Sequence, residues 1–214
     1  MNVLLTGASG LVGSHLLELL VASPHISHIV IAARRSLPSH PKVTCIAAPE
    51  LADALNQVAT PVDLVFCCLG TTRHDAGSTQ AFYAVDHDLV VLTGKTGLRL
   101  GAEKMLVVSA MGANPRSCIF YNRTKGLAEY ALIEQAWPEL VIARPSMLLG
   151  SRRKKRWTET LSTPFFKCLP GSLRAIRAAD VARALMFNAL SDNKSAVVVR
   201  DSAQLSQDAK HYTV

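Results

Sequence analysis

The sequence predicts an α/β fold in which helices cover both faces of a doubly wound parallel sheet, with a short irregular insertion near the end of the chain. Short apolar runs of strand length alternate with longer amphipathic runs from the first residue onward. No repeat of fixed period interrupts this alternation. Because domains typically hold about 100–200 residues, the 214 residues predict a single domain over 1–214.

The predicted strands are mostly apolar or β-branched, as expected for parallel strands covered on both faces. They span residues 3–6, 28–33, 43–48, 63–69, 105–109 and 140–143, with 196–199 as a further candidate. The predicted helices between them span residues 11–22, 51–58, 78–100, 121–135 and 179–190. Strands that alternate with helices in this order are typical of a Rossmann-type sheet.

The insertion is predicted at residues 146–177, where the alternation stops and Pro164, Pro170, Gly171 and a basic run accumulate. Ligands of doubly wound sheets bind beyond the carboxyl ends of the strands, and this segment follows the sixth strand. We therefore expect residues 146–177 to cover the active site on the substrate side.

The net charge of +7 comes from 23 basic and 16 acidic residues, while 49% hydrophobic residues exclude a disordered chain. Arg34, Arg35 and the block 152–156 account for the whole excess, since two and five make seven. An excess confined to two places favours a phosphorylated cofactor over a broad nucleic-acid surface. For the block itself, an anionic substrate, a mobile loop over the site, a nucleic-acid patch or localisation signal, and a solvated loop stay open.

Targeting and redox features of the sequence predict a soluble, cytoplasmic protein. The N-terminus lacks a basic region followed by a long apolar segment, and no run approaches the roughly 18 apolar residues of a membrane-spanning helix. The five cysteines form an odd set without C-x-x-C spacing, which predicts neither disulfides nor a metal site. We take the adjacent Cys67 and Cys68 as packing residues of a buried strand.

A glycine-rich loop follows the first strand, with Gly7, Gly10 and Gly13 spaced G-x-x-G-x-x-G. Glycine permits a tight turn and close approach of a phosphate, and the following helix N-terminus supplies free N–H groups with partial positive charge. In the first βα unit this pattern predicts a dinucleotide site rather than a mere tight turn. The amides expected to hold the phosphates are those around Ser9, Gly10, Leu11 and Val12.

The end of the second strand carries Arg34 and Arg35, where an acidic residue would bind a ribose 2′-hydroxyl. Guanidinium groups pair with phosphate oxygens and stack on adenine, so the site suits a 2′-phosphate. The sequence therefore predicts NADP(H) rather than NAD(H). The alternative is that both arginines are simply solvated.

Tyr121 and Lys125 form Y-x-x-x-K at the start of a predicted helix, which places both side chains on one face. A nearby ammonium favours the phenolate and is expected to bring the tyrosine pKa toward the working range. Ser109, at the carboxyl end of the fifth strand, is positioned to hold a carbonyl oxygen by a hydrogen bond. The three residues predict a catalytic set for proton transfer coupled to hydride transfer.

Together with these residues, four further stretches give the chain a resemblance over nearly its whole length. They are C-C-L-G-T-T-R at 67–73, V-D at 85–86, A-R-P followed by two leucines at 143–149, and D-V-A-R-A at 180–184. The chain resembles an atypical short-chain dehydrogenase/reductase, close to the Tat-interacting-protein-2-like group.

The resemblance implies cofactor contacts beyond the glycine loop. It implies that Leu69, Gly70 and Thr71 wrap the adenosine and pyrophosphate, that Lys125 also holds the nicotinamide ribose, and that Pro145, Ser146 and Met147 approach the carboxamide. Asp86 stands where short-chain dehydrogenases generally carry an Asn of the proton relay. An acid at that position puts the usual relay in doubt.

Two functions are therefore carried forward. The first is an NADP(H)-binding oxidoreductase that acts on a small carbonyl or alcohol substrate, with Ser109 placing the oxygen, Tyr121 moving the proton and Lys125 tuning Tyr121. The second is a noncatalytic NADPH-sensing regulatory or protein-binding module, which keeps a protein partner open. A nucleic-acid binder is the weakest hypothesis, because only the block 152–156 supports it.

Overall fold

The structure is a computed structural model that describes residues 1–149, 175–192 and 195–212. Its strands are β1 (Asn2–Thr6), β2 (His28–Ala33), β3 (Val43–Ala47), β4 (Leu64–Cys67), β5 (Lys104–Val108), β6 (Glu139–Arg144), β7 (Leu148–Leu149), β8 (Ile176–Arg177) and β9 (Val197–Asp201). The main sheet has the order β3-β2-β1-β4-β5-β6-β9, and all of its neighbouring strands pair in parallel. This confirms the predicted doubly wound sheet.

The helices are α1 (Leu11–Ala22), α2 (Leu51–Gln57), α3 (Arg73–Ala76), α4 (Thr79–Tyr83), α5 (Leu89–Arg99), α6 (Phe120–Ile133), α7 (Ala178–Leu190) and α8 (Ser202–His211). A π-helical segment, Ala84–Asp88, joins α4 to α5, and we call it the π turn. None of the helices in the described ranges has the length and apolar character needed to cross a bilayer.

Successive residues of each strand face opposite sides of the sheet, so the chain builds two cores. Leu5 and Phe66 face the side covered by α1, α7 and α8. Leu4 and Val65 face the side covered by α2, α5 and α6. The carboxyl ends of β1, β4, β5 and β6 lie at one edge of this sheet, where the loops that carry the candidate residues emerge.

Two differences separate the observed elements from the predicted ones. The helix predicted at 78–100 is interrupted by the π turn, whose wider hydrogen-bonding pattern a 3.6-residue period does not predict. The last helix, α8, was not predicted, although Asp201 and Gln204 form a capping box at its start. The late strand is confirmed as β9.

The insertion predicted at 146–177 is regular at its two ends. There β7 and β8 form a separate two-stranded parallel sheet, with Leu148 opposite Ile176 and Leu149 opposite Arg177. Residues 150–174, which include the basic block 152–156, lie outside the described residues.

Candidate cofactor and active site

The phosphate loop, residues 7–13, turns sharply as the chain leaves β1. Gly7 has φ +75°, a left-handed conformation that residues with a side chain rarely adopt, and a Cβ there would lie 2.4 Å from the carbonyl oxygen of Cys68. A Cβ on Gly13 would lie 2.1 Å from the carbonyl oxygen of Gly7. These two positions require glycine because α1 packs directly against the ends of β1 and β4.

The N-terminus of α1 has no protein side chain as a cap. Gly10 is the N-cap residue, and its own amide donates a hydrogen bond of 2.9 Å to the carbonyl oxygen of Gly7. The first-turn amides of Leu11 and Val12 therefore lack a side-chain acceptor, next to the exposed Ser9. Such amides, aligned with the helix dipole, favour an anion, so this loop fits the pyrophosphate of a dinucleotide.

Arg34 and Arg35 follow the last residue of β2, and both side chains are exposed. Neither makes a hydrogen bond or ion pair with any residue in the described part of the chain. The nearest elements along the sheet are β1 and β3, which flank β2. Two unpartnered guanidinium groups at this edge are free to bind a phosphate.

The loop after β4 brings Leu69, Gly70 and Thr71 beside the predicted catalytic helix. The amide of Thr71 donates a hydrogen bond of 2.9 Å to Asp86 Oδ2 in the π turn. A Cβ on Gly70 would lie 3.6 Å from Asp86 Oδ1 and 3.7 Å from Lys125 Nζ. The structure thus places this loop directly over a charged pair.

Tyr121 and Lys125 lie one turn apart on α6, as the Y-x-x-x-K spacing predicted. Lys125 Nζ is 2.7 Å from Asp86 Oδ1, and both side chains are buried, Asp86 completely. The Tyr121 ring packs against Phe82 of α4, with 5.7 Å between ring centroids. A buried ion pair therefore joins α6 to the π turn beside the candidate proton donor.

The phenol of Tyr121 is 37% exposed, and its hydroxyl has no hydrogen-bond partner among the residues that the structure describes. Partial burial raises the pKa of Tyr121 above its ordinary value, Lys125 lowers it and Asp86 raises it again, so the net pKa is raised. The sequence predicted the opposite direction. The difference arises because burial of the phenol outweighs the field of the ammonium, which Asp86 also partly offsets.

Lys125 stays charged despite its burial. Desolvation lowers the pKa of its ammonium, but Asp86, Tyr121 and the hydrogen bond to Asp86 outweigh this effect, and the net pKa is raised. Lys125 is therefore an ammonium with a fixed counter-ion rather than an isolated charge next to Tyr121.

Ser109, the third member of the predicted set, donates a short hydrogen bond to Glu129 Oε1. Glu129 also binds Arg144, which donates from Nε to Oε1 at 3.0 Å and from its terminal nitrogen to Oε2. Glu129 lies on α6 eight residues beyond Tyr121, about 12 Å along the helix axis. The structure thus ties the Ser109 hydroxyl to Glu129 of α6, and among the described residues it makes no hydrogen bond to the Tyr121 hydroxyl.

A cavity of about 10 Å³ lies between the Asp86–Lys125 pair and the Ser109–Glu129 pair. This volume admits about one water molecule, so a substrate has no room there. A substrate that contacts Tyr121 lies instead on the exposed side of the phenol.

Glu129 and Arg144 were not predicted as site residues. Glu129 continues the face of Tyr121 and Lys125 at intervals of four residues, which was the available signal. No such local signal pairs Glu129 with Arg144, because the carboxylate is on α6 and the guanidinium ends β6. We call Asp86, Lys125, Glu129 and Arg144 the charged cluster.

Pro145, Ser146 and Met147 follow β6 at the same edge of the sheet. The Pro145 carbonyl accepts a hydrogen bond from the Met111 amide at 2.9 Å, and the Ser146 amide donates to Ser202 Oγ at 2.6 Å. Met147 is exposed. In the described ranges, no group of three or more His, Cys, Asp or Glu side chains is arranged to bind a metal ion.

Comparison with known proteins identifies relatives over nearly the whole chain. Residues 7–186 match the family described as NAD(P)H-binding. The protein FMP52, mitochondrial, of Eremothecium gossypii is 31% identical over 96% of this chain and 96% of its own length. The protein HTATIP2 of Rattus norvegicus is 31% identical over 89% of this chain and 81% of its own length.

Solved structures with the same fold include complexes with NAD. MoeE5 in complex with UDP-glucose and NAD superposes with a TM-score of 0.71 at 19% identity, covering 94% of this chain and 75% of that one. At this identity the similarity supports the fold. It agrees with the sheet order and with the position of the phosphate loop at the end of β1.

The predicted cytoplasmic location is wrong on this comparison. The relative in Eremothecium gossypii is named a mitochondrial protein, and so are two further fungal relatives. The cysteine pattern, on which the prediction rested, does not distinguish the cytosol from other compartments that keep thiols reduced.

Proposed function

The chain belongs to the NAD(P)H-binding family that includes the FMP52 and HTATIP2 proteins, and on that premise we propose that it is an NADP(H)-dependent oxidoreductase acting on a small carbonyl or alcohol. One observation carries the proposal. The carboxyl edge of one parallel sheet carries a helix N-terminus without a side-chain cap, two arginines without a partner in the described part of the chain, and an exposed phenol beside a buried lysine.

The preference for NADP(H) is supported by Arg34 and Arg35. Both are exposed and unpartnered within the described ranges, and no carboxylate follows β2 to bind a ribose 2′-hydroxyl. A 2′-phosphate at this position would accept charge-assisted hydrogen bonds from the guanidinium groups.

The remaining cofactor contacts follow from the loops at the same edge. We assign the pyrophosphate to Gly7, Ser9, Gly10, Leu11, Val12 and Gly13. We assign the adenosine side to Leu69, Gly70 and Thr71, the nicotinamide ribose to Tyr121 and Lys125, and the carboxamide to Pro145, Ser146 and Met147.

In the proposed reaction, the bound reduced cofactor supplies a hydride to the carbonyl carbon. Tyr121 donates its phenolic proton to the carbonyl oxygen, so that an alcohol leaves and solvent restores the proton. The phenol is exposed, and no residue that the structure describes accepts a hydrogen bond from its hydroxyl, which supports this transfer. Lys125 holds a fixed positive charge one turn away.

The cofactor assignment is tested by titrating the chain with NADPH and NADH and following the nicotinamide fluorescence. We expect tighter binding of NADPH. Replacing Arg34 and Arg35 by Ser should weaken NADPH by about 10–100-fold and leave NADH nearly unchanged, because only the 2′-phosphate loses partners. Equal losses for the two cofactors would refute the assignment.

The catalytic assignment is tested with a panel of small aldehydes and ketones. The wild-type chain should consume NADPH with at least one of them, and Tyr121→Phe should lose about 100-fold or more of kcat while it retains NADPH affinity. A Tyr121→Phe variant that turns over as fast as the wild type would remove Tyr121 from the chemistry.

The second candidate is a noncatalytic NADPH-responsive module, and one observation favours keeping it. The hydroxyl of Ser109, which the oxidoreductase hypothesis needs at the substrate oxygen, is bound to Glu129. This candidate predicts NADPH binding without turnover across the whole carbonyl panel. The cofactor titration and the carbonyl panel together therefore distinguish this module from an oxidoreductase.

A further inference from the structure

Asp86 is a completely buried carboxylate whose two oxygens have different partners. Oδ1 lies 2.7 Å from Lys125 Nζ, and Oδ2 accepts the Thr71 amide at 2.9 Å. One side chain thus contacts the catalytic helix and the loop assigned to the cofactor. In the sequence, Asp86 stands where short-chain dehydrogenases generally carry the Asn of the proton relay, and that position predicted no such contacts for Asp86.

The π turn is what places Asp86 there. Asp86 occupies the middle of Ala84–Asp88, between α4 and α5, and it is the buried residue of that segment. An inserted π turn breaks the regular helical period, and such turns are often found at functional sites. A regular α-helix over the same residues would not keep Asp86 on the same face relative to the residues before and after it.

Burial makes the pairing necessary. A charge removed from water is tolerated when an opposite charge and hydrogen bonds compensate it, and here Asp86 and Lys125 are both buried. The pair is neutral as a unit. Its effect on Tyr121 is therefore much smaller than that of a free ammonium at the same place.

Resting on the proposed function, we infer that Asp86 is a positioning residue that holds Lys125 as a neutralised pair and so keeps Tyr121 in its proton-donating form. The site is thereby set for carbonyl reduction. Reduction needs a protonated phenol, which gives its proton to the oxygen as hydride reaches the carbon. Alcohol oxidation needs the ionised phenol to accept that proton.

Within the described residues, a small set of other titratable and charged groups lies on the elements packed around Tyr121 and Lys125. They are Cys67 of β4, Tyr83 of α4, the mutually bound His87 and Asp88 of the π turn, Lys95 and Arg99 of α5, and Arg123 and Glu129 of α6, with Arg144 as the partner of Glu129. Burial raises the pKa of the Cys67 thiol, which keeps it neutral. The pKa of Tyr121 responds to burial, Lys125 and Asp86.

The inference is tested on the full chain without cofactor or substrate. The chain has four tyrosines, so the ultraviolet absorbance of wild type minus that of Tyr121→Phe isolates the ionisation of Tyr121. We expect no tyrosinate signal from Tyr121 between about pH 7 and pH 10, the ordinary tyrosine pKa. A Tyr121 that ionises near neutral pH overturns the inference, even if no further variant folds.

Two variants then assign the effect to Asp86. Asp86→Asn retains an oxygen for the Thr71 amide but removes the negative charge, so the midpoint of Tyr121 should fall by about one pH unit or more. The double variant Asp86→Asn, Lys125→Met removes both charges and should return the midpoint toward that of the wild type. An unchanged midpoint in Asp86→Asn overturns the inference.

The titration and the proposed function fail separately. Loss of NADPH binding or of turnover would count against the oxidoreductase proposal and leave the Tyr121 titration as measured. A low Tyr121 midpoint in a chain that reduces carbonyls would count against the role of Asp86 alone.

Discussion

The phosphate loop with Arg34 and Arg35 differs from the charged cluster in how its polar groups are satisfied. In the first region the helix amides and guanidinium groups have no side-chain partners among the described residues. In the second, Asp86 pairs with Lys125, and Glu129 pairs with Arg144. The first region therefore keeps hydrogen-bond donors that the described residues do not satisfy, whereas the charges of the second compensate one another.

The largest expected effect lies in the first region and is steric. Gly7→Ala should cost about 3 kcal/mol or more of unfolding free energy, because a left-handed conformation is combined with a Cβ 2.4 Å from the Cys68 carbonyl oxygen. NADPH binding should also be lost, since the neighbouring backbone must move. Urea unfolding and fluorescence titration measure the two effects.

Gly101→Ala is the matched control for Gly7→Ala. Gly101 has φ +88°, but nothing lies within 4 Å of the position of its Cβ. Its replacement should cost only about 1–2 kcal/mol, the conformational part of the effect, and should leave NADPH affinity unchanged. If both variants lose the same stability, close packing of the phosphate loop is not what requires glycine.

The next effect lies in the charged cluster. Glu129→Gln should cost about 2–3 kcal/mol, because it removes the carboxylate that binds Arg144 and Ser109. The value is reduced from that of a fully buried pair because the Arg144 side chain is 34% exposed. Urea denaturation measures the change.

The counterpart in the first region is the replacement of Arg34 and Arg35 by Ser. Both side chains are exposed, so the free energy of unfolding should change by less than about 0.5 kcal/mol while cofactor discrimination changes. The comparison of the two regions fails if the arginine variant is destabilised as much as Glu129→Gln.

The smallest effect near neutral pH concerns Cys67, the buried thiol at the end of β4. Burial raises the pKa of Cys67 above its ordinary value of 9.0. Above about pH 9 the unfolded thiol therefore releases its proton while the folded one keeps it, and stability falls with pH until the folded thiol ionises. One proton corresponds to at most about 1.4 kcal/mol per pH unit.

Cys67→Ala should make the fall of unfolding free energy with pH less steep, by up to the slope that corresponds to one proton. Urea unfolding at a series of pH values measures this slope. Cys118→Ala is the control, because the Cys118 side chain is exposed in the folded chain. A slope that changes equally in both variants would show that burial of Cys67 is not its cause.

The sequence predicted the first region better than the second, for a physical reason. The spacing of Gly7, Gly10 and Gly13 and the position of Arg34 are local features, since a strand, a turn and a helix fix them within a few residues. The sheet order was also predictable, because parallel strands with alternating helices admit few arrangements.

The charged cluster depends on contacts that are distant in sequence. Asp86 meets Lys125 across 39 positions, and it does so through a π turn that has no hydrophobic period of its own. Burial of the phenol raises the pKa of Tyr121, and Asp86 adds to this effect, so a prediction based on Lys125 alone gave the wrong direction. Ser109 was placed at the correct strand end, but its partner Glu129 was not foreseen.

The small sheet of β7 and β8 joins two stretches of the chain that are distant in sequence. It pins the two ends of residues 150–175 side by side, with Leu148 opposite Ile176, outside the main sheet. The entropy lost on closing a loop between two fixed ends grows slowly, by about 0.6 kcal/mol for each doubling of its length. Because the main sheet does not include the β7–β8 pair, a longer chain segment between these two strands should cost the fold little stability.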